Sequence, residues 1–538
     1  MKTTICGLLC AAMTISLDVV LSAGEVDWTG GGDTAAWSDA GNWGGTLPTS
    51  EDVAVIRGVV PAVMADIATM NGFAGLKIDG ENSVVDLSGM TSKTTMTVPL
   101  SGDGMLRVMN SSNSADLILN NDNSSFSGTF YTDGAGLTLR HANASGNANT
   151  KAVIKNGSTQ KYLRVAANND RCKTFAGEAA FDKAEVWMNP GGGFEFSGVV
   201  DILANITQFN SDTPTNYMMR FSGIVTNSTS QSAQFRLKGS HRICDGATVA
   251  LGSTASVNLF SDVKLHLEGF IASASLFTVN NGYVYFHEAN RFAPTVALRL
   301  GENGQYPRRA RMDLRGFDQQ CGNLSACNSD MSSNYHCYYD TAQLSISPAT
   351  YMTESNTNTA GLITSSAPAT FTVLGTYSAI PDNSNYTMVQ RRRFIYPIMG
   401  HASFELNSTN QSTAATMRFS SPRSTTDGSL ICRRGTIVLE STCAFSNLTS
   451  IVASNVGAVE VEAGAYVNPE VSLLLSDSSV FTVGEGCVVT AKTACVGSVW
   501  LEPDEYVCSE AGLPNLAGSG KLVVTTYGGP KGWLLMFK

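Results

Sequence analysis

The feature that most constrains this chain is a repeat near its C-terminus. Gly435-Thr436-Ile437-Val438-Leu439-Glu440 recurs as Gly457-Ala458-Val459-Glu460-Val461-Glu462 and again as Ser479-Val480-Phe481-Thr482-Val483-Gly484, 22 residues apart both times. The runs Leu448-Thr449-Ser450-Ile451-Val452 and Val471-Ser472-Leu473-Leu474-Leu475 return at nearly the same interval, so each unit holds at least two short strands. A unit of that size cannot bury an apolar face alone. It must stack on copies of itself, each coil pairing with those above and below. Strand alternation then places Ile437, Val459 and Phe481 in one inward column and Leu439, Val461 and Val483 in a second, with Val438, Glu460 and Thr482 pointing outward.

The expected fold is therefore all-β, a single-stranded right-handed parallel β-helix, or β-solenoid, closed at its N-terminal end by an aromatic cap. A leucine-rich horseshoe shares the period but needs an L-x-x-L-x-L-x-x-N ladder that is missing. Tandem β-sandwich domains are the structural alternative, and they predict units near ~100 residues rather than a 22-residue step. Composition agrees with many strands and tight turns: charged residues are 15 % of the chain, Gly numbers 51, and no sustained helical apolar stripe occurs beyond the N-terminus.

Three of the six tryptophans fall in Trp28-Thr29-Gly30, Trp37 and Asn42-Trp43, followed by Pro48, Asp52 and the strand-like Val53-Ala54-Val55-Ile56. Further on, Leu117-Ile118-Leu119 leads into Asn123-Ser124-Ser125-Phe126-Ser127-Gly128-Thr129, and Met312-Asp313-Leu314-Arg315-Gly316-Phe317-Asp318-Gln319 has the same character. These segments, with the final Gly518-Ser519-Gly520-Lys521-Leu522-Val523-Val524, resemble secreted bacterial autotransporter passenger-like β-helix proteins. The resemblance implies a rod whose first coil is covered by Trp28, Trp37 and Trp43; stacking of those rings on sugar is the alternative. No translocator barrel of alternating residues follows in the sequence, so the likeness is to the passenger alone. The expected division is a signal peptide at 1–24, a capping module at 25–58, solenoid at 59–324, coils with longer loops at 325–400, and C-terminal coils with an end cap at 401–538.

Lys2, the apolar segment Ile5 to Leu17 and the small residues around Ser22-Ala23-Gly24 read as a secretory signal cleaved near 22–24, which predicts a secreted or cell-surface protein. No later run is long and apolar enough for a transmembrane helix in the mature chain. Ten cysteines follow the signal: Cys172, Cys244, Cys321, Cys327, Cys337, Cys432, Cys443, Cys487, Cys495 and Cys508. Disulfides are permitted in such a compartment, but spacing cannot choose among pairings. Cys321, Cys327 and Cys337, with His336, raise zinc as an alternative to local disulfides or buried thiols. Without a C-x-x-C pair, no metal site is assigned.

The formal charge of −10, with dispersed Lys and Arg, excludes a broad nucleic-acid footprint. Nucleophile-elbow, H-E-x-x-H, phosphate-loop and calcium-nonapeptide motifs are missing, as are the motifs of pectin-cleaving β-helix enzymes. His141, His241, His266, His287, His336 and His401 show no ligand spacing. No catalytic residue, cofactor or cofactor-binding residue is therefore assigned. The expected role is a non-enzymatic secreted or cell-surface protein serving adhesion or an extracellular structure, with extracellular glycans or other surface proteins as partners. A polysaccharide-degrading lyase or glycoside hydrolase and a carbohydrate-binding module are the alternatives, so the enzyme question stays open. Candidate ligand-binding residues are Tyr335, Tyr338 and Tyr339 with Arg391, Arg392 and Arg393, placed on loops projecting from the rod. Arg308-Arg309 with Arg311 is a further basic cluster able to clamp an acidic polysaccharide, set against plain solvated loop charge. Glu460 and Glu462 read as ordinary solvated residues.

Overall fold

The computed structural model describes residues 24–529 except 35, 61–66, 89, 110–114, 156–160, 166–172, 189–192, 212–217, 281, 301–309, 327–361, 375–392, 395–396, 410–414, 420, 422–423 and 511. Almost everything described is strand or turn, and the strands form a parallel β-solenoid. On one face the strands beginning at Val59, Val84, Met105, Thr129, Lys151, Glu178, Val199, Ile224, Thr248 and Phe270 each pair in parallel with the next. The step between them varies from 21 residues, Val84 to Met105, to 27, Lys151 to Glu178.

Each coil has three faces. The strand Val199–Ser211 covers the first two, bending at Asn205 (φ 58°), and Met219–Phe221 forms the third. One coil later Val199, Phe209 and Met219 meet Ile224, Leu237 and His241 in register. The expected columns are present: Ile437 pairs with Val459 and Val459 with Phe481, while Leu439, Val461 and Val483 stack beside them, all six fully buried. Val438 holds the outward register with Glu460 but is buried, which corrects its expected exposure. Its neighbour across the ladder is Arg418, whose guanidinium reaches past it to Glu440 (3.4 Å) and Glu462 (3.1 Å). Glu462 is thus ion-paired rather than simply solvated.

Tandem sandwiches are excluded by the pairing itself. Among the described residues the antiparallel strand pairs, Cys495–Val496 with Val499–Trp500 and Asp504–Val507 with Lys521–Val524, both lie at the C-terminal end. There Asp504–Val507 forms the edge of a three-stranded sheet, with exposed Asp504 and Glu505 making that edge a poor template for further pairing.

The interior is a stack of aromatic and aliphatic side chains. Phe196 and Phe221 lie parallel at 5.7 Å, and Phe209 meets Phe235 edge to face at 5.1 Å. At the corner between the third and first faces an aromatic residue is followed two positions later by glycine: Phe126 and Gly128, Phe175 and Gly177, Phe196 and Gly198, Phe221 and Gly223. Coil stacking explains the glycine. A Cβ on Gly198 would stand 2.0 Å from the carbonyl oxygen of Gly177, and one on Gly223 1.9 Å from that of Gly198. Phe fills the corner from inside while the backbones close to contact outside.

The N-terminal end is sealed by the three tryptophans. Trp37 and Trp43 are buried and Trp28 is half-buried, with ring centroids 4.9–5.5 Å apart, and Trp43 packs edge-on to Phe73 at 5.6 Å. Trp43 donates its indole N–H to the Trp37 carbonyl at 2.8 Å. Asn42 explains the Asn-Trp pair: buried, it donates to the carbonyls of Thr34 and Ala36 and accepts from Gly32 N–H. The rings therefore cap the first coil, and no exposed row of them is offered to sugar.

One polar side chain lies wholly inside. His241, with Met219 on one side and Leu265 on the other, donates or accepts through Nε2 at the Lys238 carbonyl (2.8 Å), and burial lowers its pKa to about 4. Its folded value is depressed below the ordinary one near 6.5, so the neutral ring stabilises the fold above that pH. This contribution is lost as pH falls from about 6.5 to about 4. His241→Phe should remove that loss: the gap in urea midpoint between variant and parent should widen in the variant's favour between pH 7 and pH 4.5. Gly198→Ala should cost about 1–3 kcal/mol or more through overpacking, measured by urea unfolding, whereas Ser197→Ala should change little.

Candidate functional site

Because every coil repeats the same three strands, side chains separated by one coil in sequence become neighbours in space. The third face turns this into a ladder. Glu195, Arg220, Arg242, His266, Tyr285 and Asp313 point outward in one column, each paired in register with the next. Beside it run Lys264, Tyr283 and Arg311 on one flank. Glu268, His287 and Arg315 lie on the other, at the ends of the same strands.

The rings and cations are interleaved. Tyr283 and Tyr285 stand parallel (6°) with centroids 6.0 Å apart, the Arg311 guanidinium sits 5.1 Å over Tyr283, and that of Arg315 sits 4.9 Å over Tyr285. His266 packs against Tyr285 at 5.2 Å. Such contacts hold guanidiniums in place without neutralising them. Arg242 approaches Glu268 at 3.7 Å and Arg315 approaches Asp313 at 3.8 Å, so five cations face three carboxylates: Arg220, Arg242, Lys264, Arg311 and Arg315 against Glu195, Glu268 and Asp313. In a chain of net charge −10 this is a local reversal of sign.

His266 Nδ1 and His287 Nε2 are 3.0 Å apart, and the Arg315 Nη1 lies 3.4 Å from the same His287 nitrogen. A guanidinium can only donate, so His287 Nε2 accepts and the proton between the rings sits on His266 Nδ1. Burial and then the nearby positive groups hold both imidazoles below their ordinary range, His266 at about 4. Among the described residues no three His, Cys, Asp or Glu side chains converge to hold a metal. The cations around this pair favour an anion instead.

A second polar strip lies on the second face. Burial raises the pKa of Asp116 above the usual carboxylate range, against the opposing pull of Thr138 (3.0 Å), Lys93, Arg164 and Tyr162. Arg164 lies 4.4 Å over the Tyr162 ring, and the Tyr162 hydroxyl is 3.4 Å from Asp116. Gly136, between Asp116 and Tyr162 in the ladder, makes room for that reach: a Cβ there would meet the Tyr162 ring at 2.9 Å. Further along, Trp187 donates to Glu185 (2.8 Å), and a cleft is lined by Lys183, Glu185, Asn205, Ile206, Gln208 and Arg236.

Of the basic and aromatic residues singled out from sequence, Arg311 joins the third-face ladder. Tyr335, Tyr338, Tyr339, Arg391, Arg392, Arg308 and Arg309 lie outside the described residues, and of Arg393 only the backbone, in the short strand Arg393–Phe394, is described. The segments 301–309 and 327–361 join Leu300 to Ala310 and Ala326 to Leu362, and Leu362 pairs with Arg311. The ladder members His266, His287, Tyr283, Tyr285, Arg242 and Arg315 escaped sequence reasoning. Their signal was there: His266 and His287 are 21 residues apart, one coil, and Tyr283 and Tyr285 alternate on one strand.

Cys244, Cys321, Cys432, Cys443, Cys487, Cys495 and Cys508 are free thiols, while Cys172, Cys327, Cys337 and His336 lie outside the described residues. Cys321, Cys432 and Cys443 are buried, which pushes their thiols up, Cys432 to about 12. Comparison of the chain with protein-family models, with curated proteins and with solved structures finds no match to any of them. With iodoacetamide at pH 8, mass spectrometry should find Cys321, Cys432 and Cys443 unmodified in the native protein and labelled in urea, while half-buried Cys244 and Cys495 label first.

Proposed function

We propose that this chain is a non-enzymatic secreted or cell-surface β-solenoid protein of the passenger-like kind, which adheres to acidic glycans through its third face. The observation that carries the reading is the ladder of Arg220, Arg242, His266 and Tyr285, flanked by Lys264, Arg311 and Arg315. Its rungs repeat along the rod axis every ~4.8 Å, which suits a long polymer carrying spaced carboxylates or sulfates better than a compact ligand. Guanidiniums preorganised over tyrosine rings offer paired donors to such oxyanions at small entropic cost. The ring faces are taken: Arg311 covers Tyr283, and Arg315 and His266 pack on Tyr285, which leaves no platform for stacked bases and supports glycan over single-stranded nucleic acid. Secretion rests on the N-terminal sequence, Lys2 followed by an apolar run and small residues. No helix among the described residues is long and apolar enough to cross a membrane.

A polysaccharide-degrading enzyme is the second reading, favoured by one observation. Asp116, held toward its protonated form by burial, touches Tyr162 and lies beside Arg164, a grouping able to move a proton at a bound sugar. The two readings separate in one assay. The purified protein should be retained on polygalacturonate and dextran sulfate columns and not on neutral mannan, with retention falling as salt rises. The double variant Arg311→Ala, Arg315→Ala should bind about 10-fold more weakly or less, equivalent to a loss of about 1.4 kcal/mol. No reducing or unsaturated ends should accumulate; their appearance in the parent and loss in Asp116→Asn would replace adhesion with catalysis.

A further inference from the structure

The two histidines of the ladder do something a purely basic face would not require. If adhesion needed only fixed positive charge, Lys or Arg would serve at both positions; instead two imidazoles from successive coils are brought ring to ring with 3.0 Å between their nitrogens. One proton fills that gap. Adding a second would set two N–H groups against each other, so the doubly charged pair must open, and its nitrogens then turn from each other toward any acceptor at the surface.

The groups around the pair set what that acceptor can be. Arg242, one coil before His266, and Lys264 on its own strand are positive, as are Arg311 and Arg315 on the side of Tyr285. Glu268, Glu288 and Asp313 are the carboxylates that face it or border it, Glu268 engaged by Arg242, Glu288 by Arg291 at 2.9 Å and Asp313 by Arg315. Tyr283 and Tyr285 are neutral phenols beside it. Cations therefore surround a pair that stays uncharged when nothing is bound. Each pair member is half-buried, so solvent alone does not stabilise the charged rings.

We propose that His266 and His287 form a proton-linked oxyanion site: the carboxylate or sulfate of an acidic polysaccharide settles between the opened imidazoles and the guanidiniums of Arg242 and Arg315, and the site takes up protons as it fills. This rests on the glycan-binding reading above and specifies its regulation. The sign follows from linkage. A bound anion raises the affinity of both rings for protons, so the anion in turn binds more tightly as pH falls from about 7 toward the value near 4 held by free His266. Adhesion is thus strengthened in mildly acid surroundings and relaxed at neutral pH.

Dextran sulfate is the probe for the test, because its charge is constant over this range, with polygalacturonate as the carboxylate arm. Calorimetry of the full chain at pH 7.5, 6 and 5 should show affinity rising at least 10-fold, with net proton uptake measured from two buffers of different ionisation enthalpy. The variant His266→Gln, His287→Gln should bind as the parent does at pH 7.5 and rise clearly less at pH 5. The buffer comparison on the parent alone keeps the test decisive if that variant folds poorly. Binding without proton uptake, or an equal pH response in parent and variant, would overturn the proton link while leaving glycan binding intact. No binding of either polymer at any pH would overturn the glycan reading itself.

Discussion

Everything in this molecule depends on the backbone of one coil hydrogen-bonding in parallel to the coil before it. Once that contact is made, identity of side chain follows position: Ile437 lies under Val459 and Val459 under Phe481 because each strand can only present its inward residue to the same column. The contact also sets which residues are intolerable. At the corner after Phe175, Phe196 and Phe221, successive backbones approach until a single Cβ would overlap a carbonyl, so glycine recurs there. The hydrophobic stack and the glycine corner are two consequences of one close approach.

Stacking has the same effect on the outside, where it builds chemistry from residues that are unremarkable alone. Arg242, His266, Tyr285 and Asp313 are spread over three coils of sequence yet form one column. A rod of this kind gives long surfaces rather than enclosed pockets, and a long surface with regularly spaced charge suits an extended partner. The proposed adhesive role and the proton-linked histidine pair are both properties of that surface. Asp116 with Tyr162 and Arg164 shows that a second face carries a different balance, an acid held back from ionising rather than a run of cations.

The ends of the rod follow a different logic. At the N-terminus Trp37 and Trp43 cover the first coil's apolar cross-section, with Asn42 tying the loop that carries them. At the C-terminus the chain switches to antiparallel pairing and leaves a charged edge at Asp504 and Glu505. Both devices stop a structure that would otherwise be free to continue pairing.

The sequence by itself determined the parallel stacking, the columns through Ile437 and Leu439, and the aromatic cap, because period, alternation and a cluster of Trp report directly on backbone geometry. It showed the 22-residue step only near the C-terminus, since turns elsewhere change length and move the step between 21 and 27 residues. Only the tertiary structure decided the outward faces. Val438 is shielded because Arg418 reaches beyond it to glutamates on later coils, and His266 meets His287 because one coil there happens to span 21 residues. Inward residues need only be apolar, and one strand's pattern reveals them. Outward chemistry depends on which residues of different coils share a rung, and that register is fixed by the lengths of all the turns between them.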